Sequence, residues 1–272
     1  MADDWTARIN TGVPNPARIY DYFLGGKDNF PADRDVADQV LDIAPVARDV
    51  VEDNRAFLRR VVDHLTREAG VRQFIDLGSG LPTQGNVHEI AQAIAPEARV
   101  VYVDNDAMVV THSRALLAGD NTVAIEADLR QPESILGHPE VRELIDFDQP
   151  IALLLLAILH FIPDQEDPLG VVARFRDRLP AGSYLAMSHG TRDIPVRPDM
   201  SPEAMTEMGA RVEKLYQLTT ASLTTRSRGQ VERFFDGFEL LEPGVVEIQR
   251  WRPDDRDPRL PGGFFGGVGR KP

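Results

Sequence analysis

The sequence predicts an α/β fold, a doubly wound sheet of mostly parallel strands, and three observations predict it. Phe74-Ile75-Asp76-Leu77-Gly78-Ser79-Gly80 sets an acidic residue and two glycines directly after a short apolar run. That is the pattern of a strand ending in a ligand-binding turn, where a side chain at either glycine would fill ligand space. Val100-Val101-Tyr102-Val103-Asp104 is a second apolar run closed by a carboxylate, at the spacing of about twenty residues expected of a ribose-binding acid in a βαβ unit. Ile151-Ala152-Leu153-Leu154-Leu155-Leu156 is apolar throughout, as befits a central strand covered on both faces.

The elements follow in order. Residues 1–45 are rich in Asp, Gly, Pro and Asn, and Gly25-Gly26 interrupts any helix begun by Arg18 to Leu24. This segment reads as a helical turn, a glycine hinge and a loop, forming an N-terminal arm or lid. From Val46 to Glu68, Phe57, Leu58, Val61, Val62 and Leu65 recur at helical spacing, which lays one face of a long helix on the sheet. Strands are expected at residues 73–77, 100–103, 123–126, 151–156 and 183–187, with helical patterns between most of them, so the strands run parallel through right-handed crossovers. Asn86 with Glu89 three residues later forms a capping box that starts the first crossover helix late. An amphipathic helix is inserted near residues 200–222. Phe238 to Leu241 and Gly263 to Val268 complete a seven-stranded Rossmann-like sheet over residues 46–272, although glycines weaken the last strand. Arg250 to Asp257 reads as a polar loop, with Trp251 either shielding the pocket or lying on a plain surface.

The first two segments locate a nucleoside site. A dinucleotide fold requires G-x-G-x-x-G, whose third glycine packs the helix so that its N-terminus faces a pyrophosphate. Here the series stops after Gly80, and Leu81-Pro82-Thr83-Gln84-Gly85-Asn86 lengthens the turn. S-adenosylmethionine carries ribose and adenine without phosphate, and its ammonium favours an acid before the first glycine, as Asp76 is here. It is the inferred cofactor. Val123-Ala124-Ile125-Glu126-Ala127-Asp128-Leu129-Arg130 adds a third strand end, where Asp128 can accept the adenine amino hydrogens while a neighbouring backbone N–H reaches a ring nitrogen. For each carboxylate the plain alternative is a solvated loop residue or a helix cap, and Asp128 taken alone fits that alternative equally well.

With these segments in place, the chain resembles the class I S-adenosylmethionine-dependent methyltransferases, and more narrowly the actinobacterial family of predicted S-adenosyl methyltransferases. The resemblance is carried by Ala17-Arg18-Ile19-Tyr20-Asp21-Tyr22-Phe23-Leu24-Gly25-Gly26-Lys27-Asp28-Asn29-Phe30 with Asp33-Arg34, and by Asp76 to Thr83. Tyr102-Val103-Asp104-Asn105-Asp106, Leu159-His160-Phe161-Ile162-Pro163 and the ending Gly266 to Pro272 extend it over nearly the whole chain. It implies an antiparallel last strand and S-adenosylmethionine as cofactor, and it names no acceptor. The candidate cofactor residues are Asp76, Gly78, Ser79, Gly80, Asp104, Asn105, Asp128, Leu129 and Ala157. If the arm closes as a lid, Tyr22 and Asn29 join them and Arg34 pairs with the methionine carboxylate; the same composition suits a fixed arm whose tyrosines cover apolar surface.

Composition narrows the partners. The 272 residues carry a formal net charge of −13, the opposite of the basic footprint left by phosphate neutralisation, so a nucleic-acid acceptor is disfavoured. After the fourth strand, Ala157-Ile158-Leu159-His160 stands where many amino-methylating nucleic-acid enzymes place Asn/Asp-Pro-Pro-aromatic, which leaves a small-molecule acceptor. The absence of cysteine excludes disulfides, thiolate metal sites and a cysteine nucleophile. The acidic start without an apolar segment, and the short apolar run from Ile151 to Leu159, predict a cytoplasmic protein with no membrane span. No metal is expected, because the six histidines are dispersed. His160 and His189 fall at the carboxyl edge of the fourth and fifth strands, where either could serve as a general base or simply order a loop. Two other readings remain open: a regulatory protein that binds the cofactor without turnover, and a nicotinamide-dependent oxidoreductase on a shared fold.

Overall fold

The computed structural model describes residues 10–82, 85–116, 119, 121–193, 201–253 and 262–272. Residues 1–9 of the arm, Thr83 of the turn and Asp254 to Asp257 of the polar loop lie outside them. In chain order the elements begin with α1 (Pro16–Phe23), α2 (Pro31–Ile43), α3 (Ala47–Arg67) and β1 (Gln73–Leu77). They continue through α4 (Val87–Ile94), β2 (Arg99–Asp104), α5 (Ala107–Leu116), β3 (Thr122–Glu126), α6 (Pro132–Leu136), α7 (Pro139–Leu144) and β4 (Ala152–Leu156). The remainder are α8 (Pro168–Arg178), β5 (Tyr184–Gly190), α9 (Pro202–Tyr216), α10 (Arg228–Glu232), β6 (Glu239–Leu240), β7 (Val246–Glu247) and β8 (Phe264–Arg270).

The sheet runs β3-β2-β1-β4-β5-β8-β6, with β7 also paired to β8. β1 to β5 are parallel, and β8 runs antiparallel to β5, β6 and β7. Side chains alternate between two cores, as the two-residue period of a strand requires. Ile75, Leu77, Val101, Val103, Leu153 and Leu155 face α6, α7 and α8, while Phe74, Val100, Tyr102, Ala152, Leu154 and Leu156 face α3 and α4. The apolar stripe of α3 occupies the place its spacing predicts, and Glu89 caps α4 by accepting the Asn86 N–H at 2.8 Å. Among the described residues no helix is long and apolar enough to cross a membrane.

Four expectations need correction. Residues 31–43, read as loop, form α2: Asp33 accepts the Phe30 N–H at 2.8 Å and the Arg18 guanidinium at 2.8 Å, while Val36, Ala37 and Val40 pack against α1. The capping signal was there, but thirteen residues rich in Asp masked the short apolar face. The sheet has eight strands instead of seven, because the outermost position is split into β6 and β7 at Pro243-Gly244, where proline offers no N–H to a ladder. Trp251 neither shields the pocket nor lies on the surface; it is buried edge-on against Phe57 at 5.6 Å. The glycines of β8 mark close packing, not a weak strand: a Cβ on Gly266 would lie 2.7 Å from Ile248 and 2.8 Å from the Met187 carbonyl.

α1, α2 and α9 form a helical cap beside the sheet. Ile19, Phe23, Val36 and Val40 are its core, joined by Val212, Leu215 and Tyr216 of the inserted helix. Ala17 and Phe30 reach from it onto Leu81, Met108 and Val109 at the carboxyl edge of β1 and β2.

Candidate active site

Between that cap and the carboxyl edge of the strands lies a cavity of about 670 Å³, within the range of small-molecule sites. Asp76, Gly78, Ser79, Gly80, Asp104, Asn105, Asp128, Leu129 and Ala157 all line it. The turn after β1 is tied to β2, since the N–H groups of Gly78 and Ser79 donate to the Val103 carbonyl at 2.8 and 3.2 Å. Asp104 then clamps the turn from the other side: its Oδ2 accepts the Gly80 N–H at 2.9 Å and its Oδ1 the Asp106 N–H at 2.9 Å. Asp76 is 6% exposed, and its carboxylate accepts no hydrogen bond among the described residues. Burial pushes its pKa up to about 7, with the Asp104 charge adding to the rise and the Arg55 guanidinium opposing it. Burial also raises Asp104, to about 6, against the pull of the two N–H donors.

Asp128 is engaged otherwise than the sequence suggests. Arg130 reaches both of its oxygens, at 2.9 Å from Nε and 2.6 Å from Nη2, and extends to Glu166 at 2.6 Å. The Arg130 hydrogen bond holds Asp128 below the usual carboxylate range. A ligand amino group therefore meets a carboxylate already in an ion pair.

Neither histidine lines the cavity. His160 Nδ1 accepts the Gly190 N–H at 3.1 Å, and His189 donates from Nδ1 to the Gly190 carbonyl at 2.7 Å while its Nε2 accepts from Arg226 at 2.7 Å. Burial drives His189 down to about 3 and His160 well below its ordinary value. With the His189 lone pair bound by a guanidinium and both rings buried, they order the β4 and β5 ends, and the general-base reading is withdrawn. Tyr22, Asn29 and Arg34 are also off the cavity wall. Tyr22 donates to Asp38 at 2.9 Å, Asn29 to Asp21 at 2.8 Å, and Arg34 to the Asn29 side chain at 3.0 Å. These bonds fasten the α1–α2 connection.

The structure brings in residues the sequence reading passed over. Asn54 and Arg55 of α3 line the cavity, as does Tyr20 of α1. Ser188 donates to Asn54 Oδ1 at 2.6 Å, and Asn54 donates to the Tyr20 hydroxyl at 3.0 Å. At the other end, the Ala157 N–H donates to Ser188 Oγ at 2.9 Å. This buried chain holds Ala157 at a φ of 54°, a left-handed conformation that costs a residue with a side chain about 1–2 kcal/mol. One signal was legible: Asn54 is a polar residue on the apolar stripe with Phe57, Leu58 and Val61, a position that calls for a buried partner. Among the described residues no group of three or more His, Asp or Glu could hold a metal ion.

A family model described as S-adenosyl methyltransferase matches residues 2–272. A crystal structure of a DUF574 family protein from Streptomyces avermitilis superimposes with a TM-score of 0.89 at 42% identity, covering 96% of this chain and 99% of its own. A candidate methyltransferase from Thermobifida fusca gives 0.85 at 45% identity, with 96% of each chain covered. The plantazolicin methyltransferase BamL, solved in complex with a triazolic desmethylPZN analogue and S-adenosylhomocysteine, shares the fold at a TM-score of 0.51 and 10% identity, covering 94% of this chain and 96% of its own. No curated protein matches the chain.

Proposed function

Because this chain belongs to the S-adenosyl methyltransferase family, we propose that it methylates a small-molecule acceptor in the cavity beneath the helical cap. The observation that carries the site assignment is the buried Asp104 carboxylate, clamped to the Gly80 N–H at 2.9 Å at the cavity wall. The residues present fit the cofactor. A buried Asp76 whose carboxylate accepts no hydrogen bond among the described residues suits an ammonium, Asp104 suits ribose hydroxyls, and a Cβ on Gly80 would meet nothing within 4 Å, so the turn leaves room for a ligand. Arg55, beside Asp76, takes the role that the sequence offered to Arg34 as partner of the methionine carboxylate.

When bound, S-adenosylmethionine supplies an electrophilic methyl on a sulfonium. The protein's task is then to align the acceptor and exclude water, and such alignment is worth about 7–11 kcal/mol. Phe161, Ile162 and Pro163 wall the cavity after β4, and Thr220 to Ser222 close it after α9. Calorimetry with S-adenosylmethionine, S-adenosylhomocysteine and NAD tests the reading: the first two bind and NAD does not. Tight NAD binding with neither adenosyl ligand would reverse it.

Two expectations follow at this site. Binding of the ligand's ammonium requires ionised Asp76, and ribose hydroxyls donate best to ionised Asp104. Affinity for S-adenosylhomocysteine should fall as pH drops through about 7 and then about 6, approaching tenfold per pH unit for each protonated group. The contribution of the same carboxyls to stability has the opposite sense. Both bind protons more tightly in the folded chain, so the contribution is fully present below 3.8 and is lost as pH rises through 6 and 7. Calorimetric titrations from pH 5.5 to 8 check the first, and a pH-independent affinity contradicts it.

The second concerns residues 17–34. Their contacts with Leu81, Met108 and Val109 lie beside the turn that clamps the cofactor site, so ligand contacts should favour the closed cover. Hydrogen exchange of this segment should slow on adding S-adenosylhomocysteine. Exchange that is already slow and stays unchanged marks a fixed arm.

A further inference from the structure

The electrostatics of the cavity say more about the acceptor. Among the described residues, seven carboxylates and three guanidinium groups line it, with no lysine and no histidine. Two of the three cations are bound to carboxylates: Arg18 to Asp33 at 2.8 Å, and Arg130 to Asp128 and Glu166. The third, Arg55, stands beside Asp76 on the cofactor wall. A phosphorylated or carboxylate-bearing acceptor would enter an excess of like charge, whereas a cation is drawn in.

Asp21 of α1 faces the same cavity and is 4% exposed. Its Oδ2 accepts the Asp28 N–H at 2.9 Å and the Asn29 amide at 2.8 Å, and its Oδ1 accepts no hydrogen bond among the described residues. That oxygen lies against Gly26, where a Cβ would fall 1.9 Å away, and it is not one of the buried polar atoms left without a partner, so it stays open to a donor that enters the cavity. Burial raises its pKa, so it can take up a proton more readily than an exposed aspartate. Neither histidine lines the cavity, so among the described residues its carboxylates are the side chains placed to take a proton from the acceptor.

We propose that the acceptor is a small cationic amine, methylated on nitrogen, and that Asp21 receives its N–H. The proposal rests on the cofactor assignment above. The ammonium gives one proton to the Asp21 carboxylate. The freed nitrogen lone pair then forms the N–C bond while the C–S bond breaks, with its electron pair left on sulfur. Positive charge passes from sulfur to nitrogen, so the carboxylate-rich wall holds a cation before and after transfer. Phe161, Ile162 and Pro163 receive the apolar body of the amine.

Sinefungin tests this directly, because it carries a protonated amine where the cofactor carries its transferable methyl. Its affinity is compared by calorimetry with that of uncharged-sulfur S-adenosylhomocysteine, in the native protein and in Asp21→Asn. Sinefungin should bind at least tenfold tighter in the native protein, and Asp21→Asn should bring the ratio of the two affinities close to one. A native ratio at or below one overturns the amine acceptor. A high ratio that survives in a folded Asp21→Asn, with its melting temperature as the check on folding, removes Asp21 from the role. If neither ligand binds the native protein, the cofactor assignment itself fails and the proposal falls with it.

Discussion

Asp104→Ala is expected to weaken S-adenosylhomocysteine binding by about 1.5–3 kcal/mol, roughly 10- to 150-fold, the scale of hydrogen bonds to a charged group. The carboxylate has two duties that the substitution removes together. It offers oxygen to the ribose hydroxyls, and it holds the turn by accepting N–H bonds from Gly80 and Asp106. Asp104→Asn separates these duties in part, since its amide oxygen can still accept one of them without the charge. Calorimetry on both variants, with melting temperatures as the check on folding, measures the effect. Native-like affinity in a folded Asp104→Ala would remove the residue from the site.

Gly80→Val is expected to abolish detectable cofactor binding while the sheet stays folded. Gly80 has a φ of 65° and open space within 4 Å of a built Cβ, so the branched side chain projects into the ligand's volume. The backbone strain of a side chain there costs about 1–2 kcal/mol, which lowers the melting temperature without unfolding the domain. Gly78 is a different case, although the two glycines look equivalent in sequence. A Cβ on Gly78 would lie 2.3 Å from Ile158, so Gly78→Val displaces the cavity wall and damages stability as well as binding. A melting temperature lowered further in Gly78→Val than in Gly80→Val, with binding lost in both, is the expected pattern. Tight binding by Gly80→Val would mean that the pocket lies elsewhere.

The sheet was legible because its strands are apolar runs of a length only buried strands use, and because carboxylates end three of them. That the strand-end residues line one cavity was legible for the same reason: sequence position fixes which edge a strand-end residue occupies. The cap was not. Tyr22, Asn29 and Arg34 lie in a segment whose composition suits contact with a ligand, yet their polar groups are used within the segment, and only the fold shows that Tyr20 and Asp21 face the cavity instead. His160 and His189 show a second limit. Their strand positions put them near the correct edge, but the partner that takes the His189 lone pair is Arg226, far along the chain. Trp251 shows the same limit in a core residue, since nothing in its polar surroundings reveals the pocket formed by Phe57 and His64.

The central claim is that the cofactor lies across the ends of β1, β2 and β3 with its ribose on Asp104. A crystal structure of the protein with S-adenosylhomocysteine tests it most directly. The predicted result is density for the ligand in this cavity, with ribose hydroxyls within hydrogen-bonding distance of the Asp104 carboxylate and the amino group beside Asp76. Ligand density at another place, or a ribose turned away from Asp104, would contradict it.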